Sequence, residues 1–387
     1  MATVIVSGAI ANKYLNGGEA WVRLSWVLGL RRLGLDTYFV EQIAPERCVD
    51  DTGVVTSFEE CVNRSYFEAV VDEFGLGGSA ALVYGDGPAT AGGLSYKQVL
   101  EIAESADLLV NISGHLGLDA VRRRVGRRVY VDLDPGFTQF WHAEGNPGAR
   151  LDGHDLHFTV GANVGRPGCG IPTGGIAWKH VPPPVVLAEW PVSNGGFTAF
   201  RTIATWRGPY GPVERGGRTF GLKVHEFRKL IDLPRRAEEP FEIALDIHPA
   251  DVADLERLRA GGWRITDPRA VAGDPLAFRC YVQASGAEFS AAQGIYVETG
   301  SGWFSDRTAR YLASGKPALV QDTGFSRDYS AGEGLVPFRT LEEAVTEAER
   351  IVRDYDAHCE AARAIAEKHF DSDRVLARFL EQVGTQP

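Results

Sequence analysis

The order strand, loop, helix, strand within the first 41 residues constrains the fold of this chain more than any other feature. An apolar, β-branched run at residues 3–7 is followed by a glycine-bearing loop, a helical pattern from about 19 to 33, and a second apolar run at 36–41. Two strands joined through a helix lie parallel in one sheet, because the helix carries the chain back to the edge where the first strand began. The opening therefore predicts an α/β domain with a parallel sheet.

Three later apolar runs, at 106–114, 127–136 and 154–165, continue this pattern, and each ends in polar residues or glycine. Parallel α/β sheets bind their ligands at the carboxyl ends of the strands. His115 and Asp134 stand at the ends of two of these runs, so we expect either of them to act as a general base or to contact ligand hydroxyl groups. The alternative is that both are turn or capping residues.

A second α/β series begins after three consecutive prolines at residues 182–184. Consecutive prolines favour a stiff, extended connector, and 387 residues suffice for about two domains. We therefore expect one doubly wound domain over 1–185 and another over 186–370. In the second domain the sequence predicts a helix at 249–262 and strands at 197–208, 241–247, 263–268 and 279–285.

Composition excludes several classes of function. A net charge of −11 argues against a nucleic-acid binder, which needs a basic face for the phosphates. The five cysteines are scattered and form no CxxC or Cys/His cluster, which favours a reducing compartment, here the cytoplasm, and no structural metal. The chain has no run of roughly 18 apolar residues, so we expect no membrane span.

Residues 300–324 combine a glycine-rich turn, a helix and a strand in that order. A helix N-terminus offers unpaired N–H groups and partial positive charge, and glycines let an anion approach the backbone. Arg307 would add charge to such a phosphate site, whereas in the alternative Gly302 serves a tight turn and Ser305 is an ordinary N-cap. The spacing of these residues alone does not decide between a phosphate site and a tight turn with an N-cap.

Two further segments offer groups for the same anion. Arg207 follows the first strand of the second series and Lys223 begins a helix, so together they could clamp a diphosphate; the alternative is two surface cations. Gly17 and Gly18 could face an anion across the cleft or only allow a tight entry into the helix.

The strand at 318–320 ends in a polar turn that could recognise a sugar. Its side chains can satisfy several hydroxyl groups, and the alternative is a turn in which Asp322 bonds its own backbone. The residues concerned are Gln321, Asp322, Thr323 and Gly324.

Taken together, these segments resemble nucleotide-sugar glycosyltransferases with the GT-B fold, in particular the family-4 type, and uncharacterised glycosyltransferase-like proteins of actinobacteria. Arg207 and Lys223 match, in order, the Arg and Lys that bind the donor diphosphate in that family, with the loop 209–219 inserted between them. The family's loop–helix motif is matched at Phe304, Leu312, Ala313, Gly315 and Pro317.

The resemblance implies two Rossmann-like, doubly wound parallel-sheet domains that face a central cleft. It also implies that a C-terminal helix within 371–387 crosses back to the first domain. Gly302 and Arg310 stand where the family carries two glutamates, the second of which holds the donor ribose. Either Asp306 or Asp322 could supply the missing carboxylate.

The function implied is that of a hexosyl- or related transferase. It would move a sugar from a nucleoside-diphosphate co-substrate to a small-molecule acceptor such as a secondary metabolite, as in natural-product biosynthesis, without a metal or a covalently bound cofactor, and as a monomer or homodimer. Diphosphate contacts are expected from Arg207, Lys223, Gly302, Trp303, Phe304, Ser305, Gly17 and Gly18. Ribose and sugar contacts are expected from Asp306, Arg307, Gln321, Asp322, Thr323 and Gly324.

Other functions stay open. A GT-B epimerase would act on the nucleotide sugar alone, and a non-catalytic sugar-nucleotide-binding or regulatory homologue would bind it without turnover. An NAD-dependent oxidoreductase is disfavoured because neither domain opens with GxGxxG. If transfer inverts the sugar, Asp134 or His115 is the expected base; if it retains the configuration, they position the sugar.

Overall fold

A computed structural model describes residues 2–193, 195–208 and 210–385. The first half contains one sheet with strand order β4-β3-β2-β1-β5-β6-β7-β8, parallel throughout except for β4. Its strands are β1 Thr3–Ser7, β2 Asp36–Ile43, β3 Ala80–Tyr84, β4 Thr90–Ala91, β5 Leu108–Ile112, β6 Arg127–Asp132, β7 Leu156–Thr159 and β8 Lys179–His180. Its helices are α1 Gly17–Arg32, α2 Val62–Glu73, α3 Tyr96–Ser105, α4 Asp119–Arg122 and α5 Phe137–Ala143.

The second half contains a parallel sheet with strand order β13-β12-β9-β14-β15-β16 and a separate antiparallel hairpin, β10–β11. Its strands are β9 Phe200–Thr205, β10 Val213–Arg215, β11 Arg218–Phe220, β12 Phe241–Asp246, β13 Arg264–Thr266, β14 Ala287–Ser290, β15 Ala318–Gln321 and β16 Leu335–Phe338. Its helices are α6 Lys223–Arg228, α7 Leu233–Ala237, α8 Val252–Ala260, α9 Pro268–Ala272, α10 Pro275–Gln283, α11 Gly294–Glu298, α12 Asp306–Ala313, α13 Leu341–Arg353, α14 Tyr355–His369 and α15 Ser372–Val383.

Helix α1 is buried on most of its surface because three elements cover it. Its N-terminus is capped by Asn16, whose side chain accepts a hydrogen bond from the Glu19 amide at 3.1 Å. One face packs on the first sheet, another on α10, and a third on α15. The ring centroids of Trp26 in α1 and Phe379 in α15 are 5.0 Å apart. The last helix thus lies against the first half of the chain.

One predicted strand is wrong. Residues 279–285, expected as a strand, fall largely in α10, because Asp274 accepts a hydrogen bond from the Ala277 amide at 2.8 Å and Pro275 occupies the first turn. The strand at this point of the sheet is β14, which is only four residues long and carries Glu288. Because the run is short and contains a charged residue, the sequence does not show the apolar pattern of a fully buried strand.

The segment 182–184 lies between the last strand of the first sheet and the first strand of the second. Apolar side chains cover both sheets, and aromatic rings fill much of the second half; Phe200 and Phe241, for example, stack with centroids 4.7 Å apart. Within the described residues, none of the helices has both the length and the apolar character needed to cross a bilayer.

Candidate functional site

The two halves meet where the carboxyl ends of their strands face each other. Asp134 follows β6 in the first half, and its Oδ1 accepts a 2.9 Å hydrogen bond from the hydroxyl of Tyr296 in α11 of the second half. Next to this contact, Gly161 forms an isolated bridge with Trp303. The residues that follow β6 and β7 therefore form one wall of a cleft, and the residues that follow β14 form the other.

Asp134 has the properties of a general base. Burial and the nearby charge of Asp132 raise the pKa of Asp134 to about 6, against the opposing effect of the Tyr296 hydrogen bond. A carboxylate that titrates near neutral pH can take a proton from an attacking hydroxyl group.

Asp132 serves the architecture instead. It is fully buried, and it also accepts a bond from the Asp134 amide at 3.0 Å. Its carboxylate accepts hydrogen bonds from the side chains of Thr138 (2.7 Å), Gln139 (2.8 Å) and Thr159 (2.7 Å). These bonds fix the turn that presents Asp134 to the cleft.

Lys223 is a partly buried cation of the second half that pairs with no described residue. It begins α6, where its amide donates to Gln293 Oε1 at 2.6 Å, and its ammonium group forms no hydrogen bond or ion pair with the described residues. Burial lowers the pKa of Lys223 to about 8, and the charge of Arg307 acts in the same direction. The opposing field comes from Glu288 and Asp306 and, across the cleft, from Asp134. The charge of Asp134 in the first half thus acts on Lys223 in the second.

Arg307 is held by the second half itself. Its Nε donates to Glu288 at 2.7 Å, and its two terminal nitrogens donate to the Ile203 carbonyl at 2.5 Å and to Ser290 at 3.0 Å. Only 14% of the side chain is exposed. Arg307 thus ties α12 to the ends of β9 and β14, and the bonds that hold it are not available to a ligand.

The glycine-rich turn at 300–303 is occupied by the first half of the chain. The Gly302 carbonyl accepts from the Ala162 amide at 3.3 Å, and the Asn163 side-chain amide donates to the carbonyls of Gly300 (3.0 Å) and Gly324 (3.1 Å). A Cβ on Gly302 would lie 2.8 Å from the Asn163 nitrogen, so glycine is required for this approach. The structure shows the tight-turn geometry, and the diphosphate role of Gly302 stays a prediction.

The residues after Gly302 mostly serve packing and capping. The ring of Trp303 lies 4.8 Å from that of Tyr296 and borders the cleft, whereas Phe304 is buried and stacks on Phe370 at 4.7 Å. Ser305 caps α12 by accepting from the Arg307 amide at 3.2 Å, the alternative that the sequence left open.

Asp306 and Arg310 form an ion pair within α12. Arg310 is buried, its guanidinium lies 5.9 Å from the centre of the Trp190 ring, and one nitrogen lies 3.4 Å from Ser25 of α1. Beside them, a pocket of about 430 Å³ that is partly open to solvent runs between Trp26 and the prolines at 182–184. Since Asp306 and Arg310 neutralise each other, this pocket suits an uncharged group.

The polar turn after β15 is satisfied by its own surroundings. Gln321 donates to Glu226 at 2.8 Å and accepts from the Ala292 amide at 3.1 Å, and the Thr323 hydroxyl donates to the Trp303 carbonyl at 2.5 Å. Asp322 accepts from the Gly324 amide (2.8 Å), Ser326 (2.9 Å) and Arg339 (2.6 Å). The turn alternative is the arrangement observed, and sugar contacts by these residues stay a prediction.

Arg207 and the glycines of α1 are engaged in contacts within the chain. Arg207 is 52% exposed and forms a two-point ion pair with Asp251, at 2.8 and 2.5 Å. Gly17 and Gly18 lie against the start of α10, where a Cβ on Gly17 would collide with the Asp274 carbonyl. Their observed role is close helix packing, and their diphosphate role stays untested.

His115 lies in a group of cations on the first half. Its Nδ1 is 3.4 Å from Nη1 of Arg150. Burial lowers the pKa of His115 to about 3, and the charges of Arg23, Arg150 and Lys13 lower it further in the same direction. The imidazole is therefore neutral at pH 7 and a weaker base than Asp134.

Sequence reasoning missed the residues that surround His115. A usable signal was Arg23, a single charge within the apolar run 20–30, which must be paired if it is buried. It also missed Glu41, whose buried carboxylate accepts from the amides of Ile10 (2.7 Å), Ala11 (2.9 Å) and Asn12 (2.8 Å). The loop after β1 thus binds an internal carboxylate, which fixes the position of Lys13.

No protein-family profile matches the chain, and no curated protein sequence matches it. Solved structures do. Anabaena HepE in complex with UDP and glucose aligns with a TM-score of 0.59 at 12% identity over 99% of this chain and 100% of that one. Sucrose-phosphate synthase from Thermosynechococcus elongatus aligns at 0.56, with 11% identity over 99% of both chains, and AviGT4, a glycosyltransferase of avilamycin A biosynthesis, at 0.56, with 11% identity over 99% and 97%. The chain has the GT-B fold, as expected from the sequence.

Proposed function

We propose that the chain is a glycosyltransferase that uses a nucleoside-diphosphate sugar as donor. The observation that carries this proposal is that each half offers one incompletely paired ionisable group: Lys223 in the second half has no partner among the described residues, and Asp134 in the first half is a carboxylate with a pKa of about 6. The fold adds support, because structures that share it include glycosyltransferases and a protein bound to UDP and glucose.

Lys223 would bind the diphosphate. A partly desolvated ammonium without a partner gains a strong charge-assisted bond when a phosphate oxygen reaches it. The same contact stabilises the charge that develops on the departing nucleoside diphosphate, which is why we propose transfer without a metal. Arg207 stays a candidate for a second contact, which requires it to leave Asp251.

Asp134 would act on the acceptor, a small molecule such as a secondary metabolite. As the acceptor hydroxyl oxygen bonds to the anomeric carbon, the bond from that carbon to the diphosphate oxygen breaks and the hydroxyl proton passes to Asp134. This scheme inverts the anomeric configuration. The five free cysteines fit a reducing compartment, and we propose the cytoplasm and a monomer or homodimer.

A panel of UDP-, GDP-, TDP- and ADP-sugars tests the proposal, with the nucleoside diphosphate released by slow hydrolysis or transfer measured by mass spectrometry. We expect release from donors of one base, lost in Lys223→Met and retained in Lys97→Met, a control at an exposed lysine of α3. An epimerised nucleotide sugar formed without acceptor would identify an epimerase instead. Binding without any turnover would identify a non-catalytic protein, and no binding would contradict the proposal.

A further inference from the structure

We propose that the first half carries a binding site for a phosphate monoester, built by Lys13, Arg23 and Arg150, and that the acceptor is a phosphorylated small molecule. The inference rests on the proposed function, since it assigns this wall of the cleft to the acceptor.

The site lies over the ends of two neighbouring strands. β1 and β5 pair in parallel, and each is followed closely by a glycine. A Cβ on Gly8 would lie 2.7 Å from Cγ of Arg23, and a Cβ on Gly114 would lie 2.7 Å from Cβ of Arg150. Two arginine side chains from separate segments therefore cross directly over adjacent strand ends, where α/β proteins bind ligands.

Arg23 has an unmet hydrogen-bonding need. The side chain is only 2% exposed, and its Nη1 donates to the Glu19 carbonyl at 3.0 Å and pairs with the Glu19 carboxylate. Its Nε is buried and has no acceptor among the described residues. A buried guanidinium N–H without a partner is costly, and a ligand oxygen at this position would satisfy it.

Lys13 and His115 complete the site. The loop that carries Lys13 is held in place by the three amide bonds to Glu41, and the charges of Lys13 and Arg23 both lower the pKa of Glu19. The pKa of His115, lowered to about 3 first by burial and then by Arg23, Arg150 and Lys13, is a second indication that these cations converge. Neutral His115 then offers a hydrogen bond without adding charge.

The number of hydrogen-bond donors selects the ligand class. The carboxylate nearest to these cations is that of Glu19, whose pKa falls to about 2 because Arg23 and Lys13 outweigh the opposing effect of burial. Three cationic side chains with several N–H donors match the three acceptor oxygens of a phosphate monoester better than the two oxygens of a carboxylate. The charges of Glu19 and Lys13 also act on Asp134, and the proposed base lies in the same half of the chain as this site.

Titration calorimetry of the full chain with inorganic phosphate, glucose 6-phosphate, glucuronate and glucose tests the inference. We expect phosphate and glucose 6-phosphate to bind, glucuronate to bind at least tenfold more weakly, and glucose not to bind. Lys13→Gln and Arg150→Gln should each weaken phosphate binding at least tenfold. The control is Arg124→Gln, at an exposed arginine that precedes β6 and therefore lies at the amino-terminal end of the strands, opposite the proposed site. This variant should bind phosphate as tightly as the parent. Thermal unfolding checks that each variant is folded.

UDP binding separates the two proposals. If UDP still binds through Lys223 but phosphate binding is unchanged in Lys13→Gln and Arg150→Gln, the inference is overturned and the proposed function stands. Loss of phosphate binding in Lys223→Met instead of these two variants would place the phosphate in the donor site and also overturn it. Equal affinity for glucuronate would overturn the ligand class.

Discussion

The two walls of the cleft differ in how far their polar side chains are already satisfied. On the wall formed by the second half, Arg307 is bonded to Glu288 and Gln321 to Glu226, and Lys223 is left without a partner among the described residues. On the wall formed by the first half, Asp134 accepts one cross-cleft bond, and His115 is the one side chain among the described residues within hydrogen-bond distance of the Arg150 guanidinium. Most of the second wall therefore serves its own architecture, while the first keeps groups available for a ligand.

The difference follows from the cost of burying charge. A buried ion is tolerated only when it is paired and hydrogen-bonded, so Glu288 in the middle of β14 demands Arg307. Lys223 and Asp134 lack such complete pairing, and burial shifts the pKa of each toward neutral pH. Ionisable groups that are incompletely paired and have pKa values near neutral pH are the better candidates for catalysis and ligand binding.

Among the substitutions that test this difference between the two walls, Asp134→Asn should have the largest effect. Loss of the base should lower kcat/KM by about 100- to 10,000-fold. Because burial raises the pKa of Asp134 to about 6, its ionised form disfavours the folded state as pH rises through 6, and the asparagine avoids that cost. The melting temperature of the variant at pH 8 should therefore equal or exceed that of the parent. Full activity in the variant would remove Asp134 from the reaction.

Arg307→Met should act on the architecture instead. It leaves Glu288 buried without its partner, and the expected loss is about 3–5 kcal/mol of unfolding free energy. Urea unfolding followed by circular dichroism measures this loss. A stable variant that has lost only nucleotide binding would show that Arg307 belongs to the site and would break the contrast between the two walls.

Lys223→Arg should change the pH dependence of UDP binding. Burial lowers the pKa of Lys223 to about 8, so the parent loses the positive charge as pH rises past 8 and UDP affinity should fall by up to about tenfold per pH unit. Bound phosphate raises that pKa, so the fall continues until the pH reaches the pKa of the complex. An arginine stays charged, and its affinity should be level to pH 9.5. Calorimetry from pH 6.5 to 9.5 checks this, and identical profiles would contradict the assignment.

Arg207→Ala should have the smallest effect. Its exposed ion pair with Asp251 is screened by solvent and adds little to stability. UDP affinity should fall less than in Lys223→Met, because Arg207 must first leave Asp251 to reach a phosphate. A fall as large as that of the lysine variant would show that Arg207 is a full member of the diphosphate site.

The sequence predicted the parallel α/β halves because apolar runs and helices alternate along the chain. It drew attention to Asp134 and Lys223 because each directly follows a recognisable strand or loop, and their roles stay predictions. It did not predict β14, whose buried Glu288 makes the strand look polar. The group of Lys13, Arg23 and Arg150 was also missed. These residues come from a loop, the interior of a helix and a turn after α5, and only the pairing of β1 with β5 brings them together.

The most direct test is titration of UDP, GDP, TDP and ADP into the parent chain, Lys223→Met and Lys97→Met at pH 7. One nucleoside diphosphate should bind the parent and Lys97→Met equally, and Lys223→Met should bind it at least tenfold more weakly because the charge-assisted bond is lost. Absence of binding to all four, or equal affinity in Lys223→Met, would contradict a sugar-nucleotide site at the Lys223 wall of the cleft.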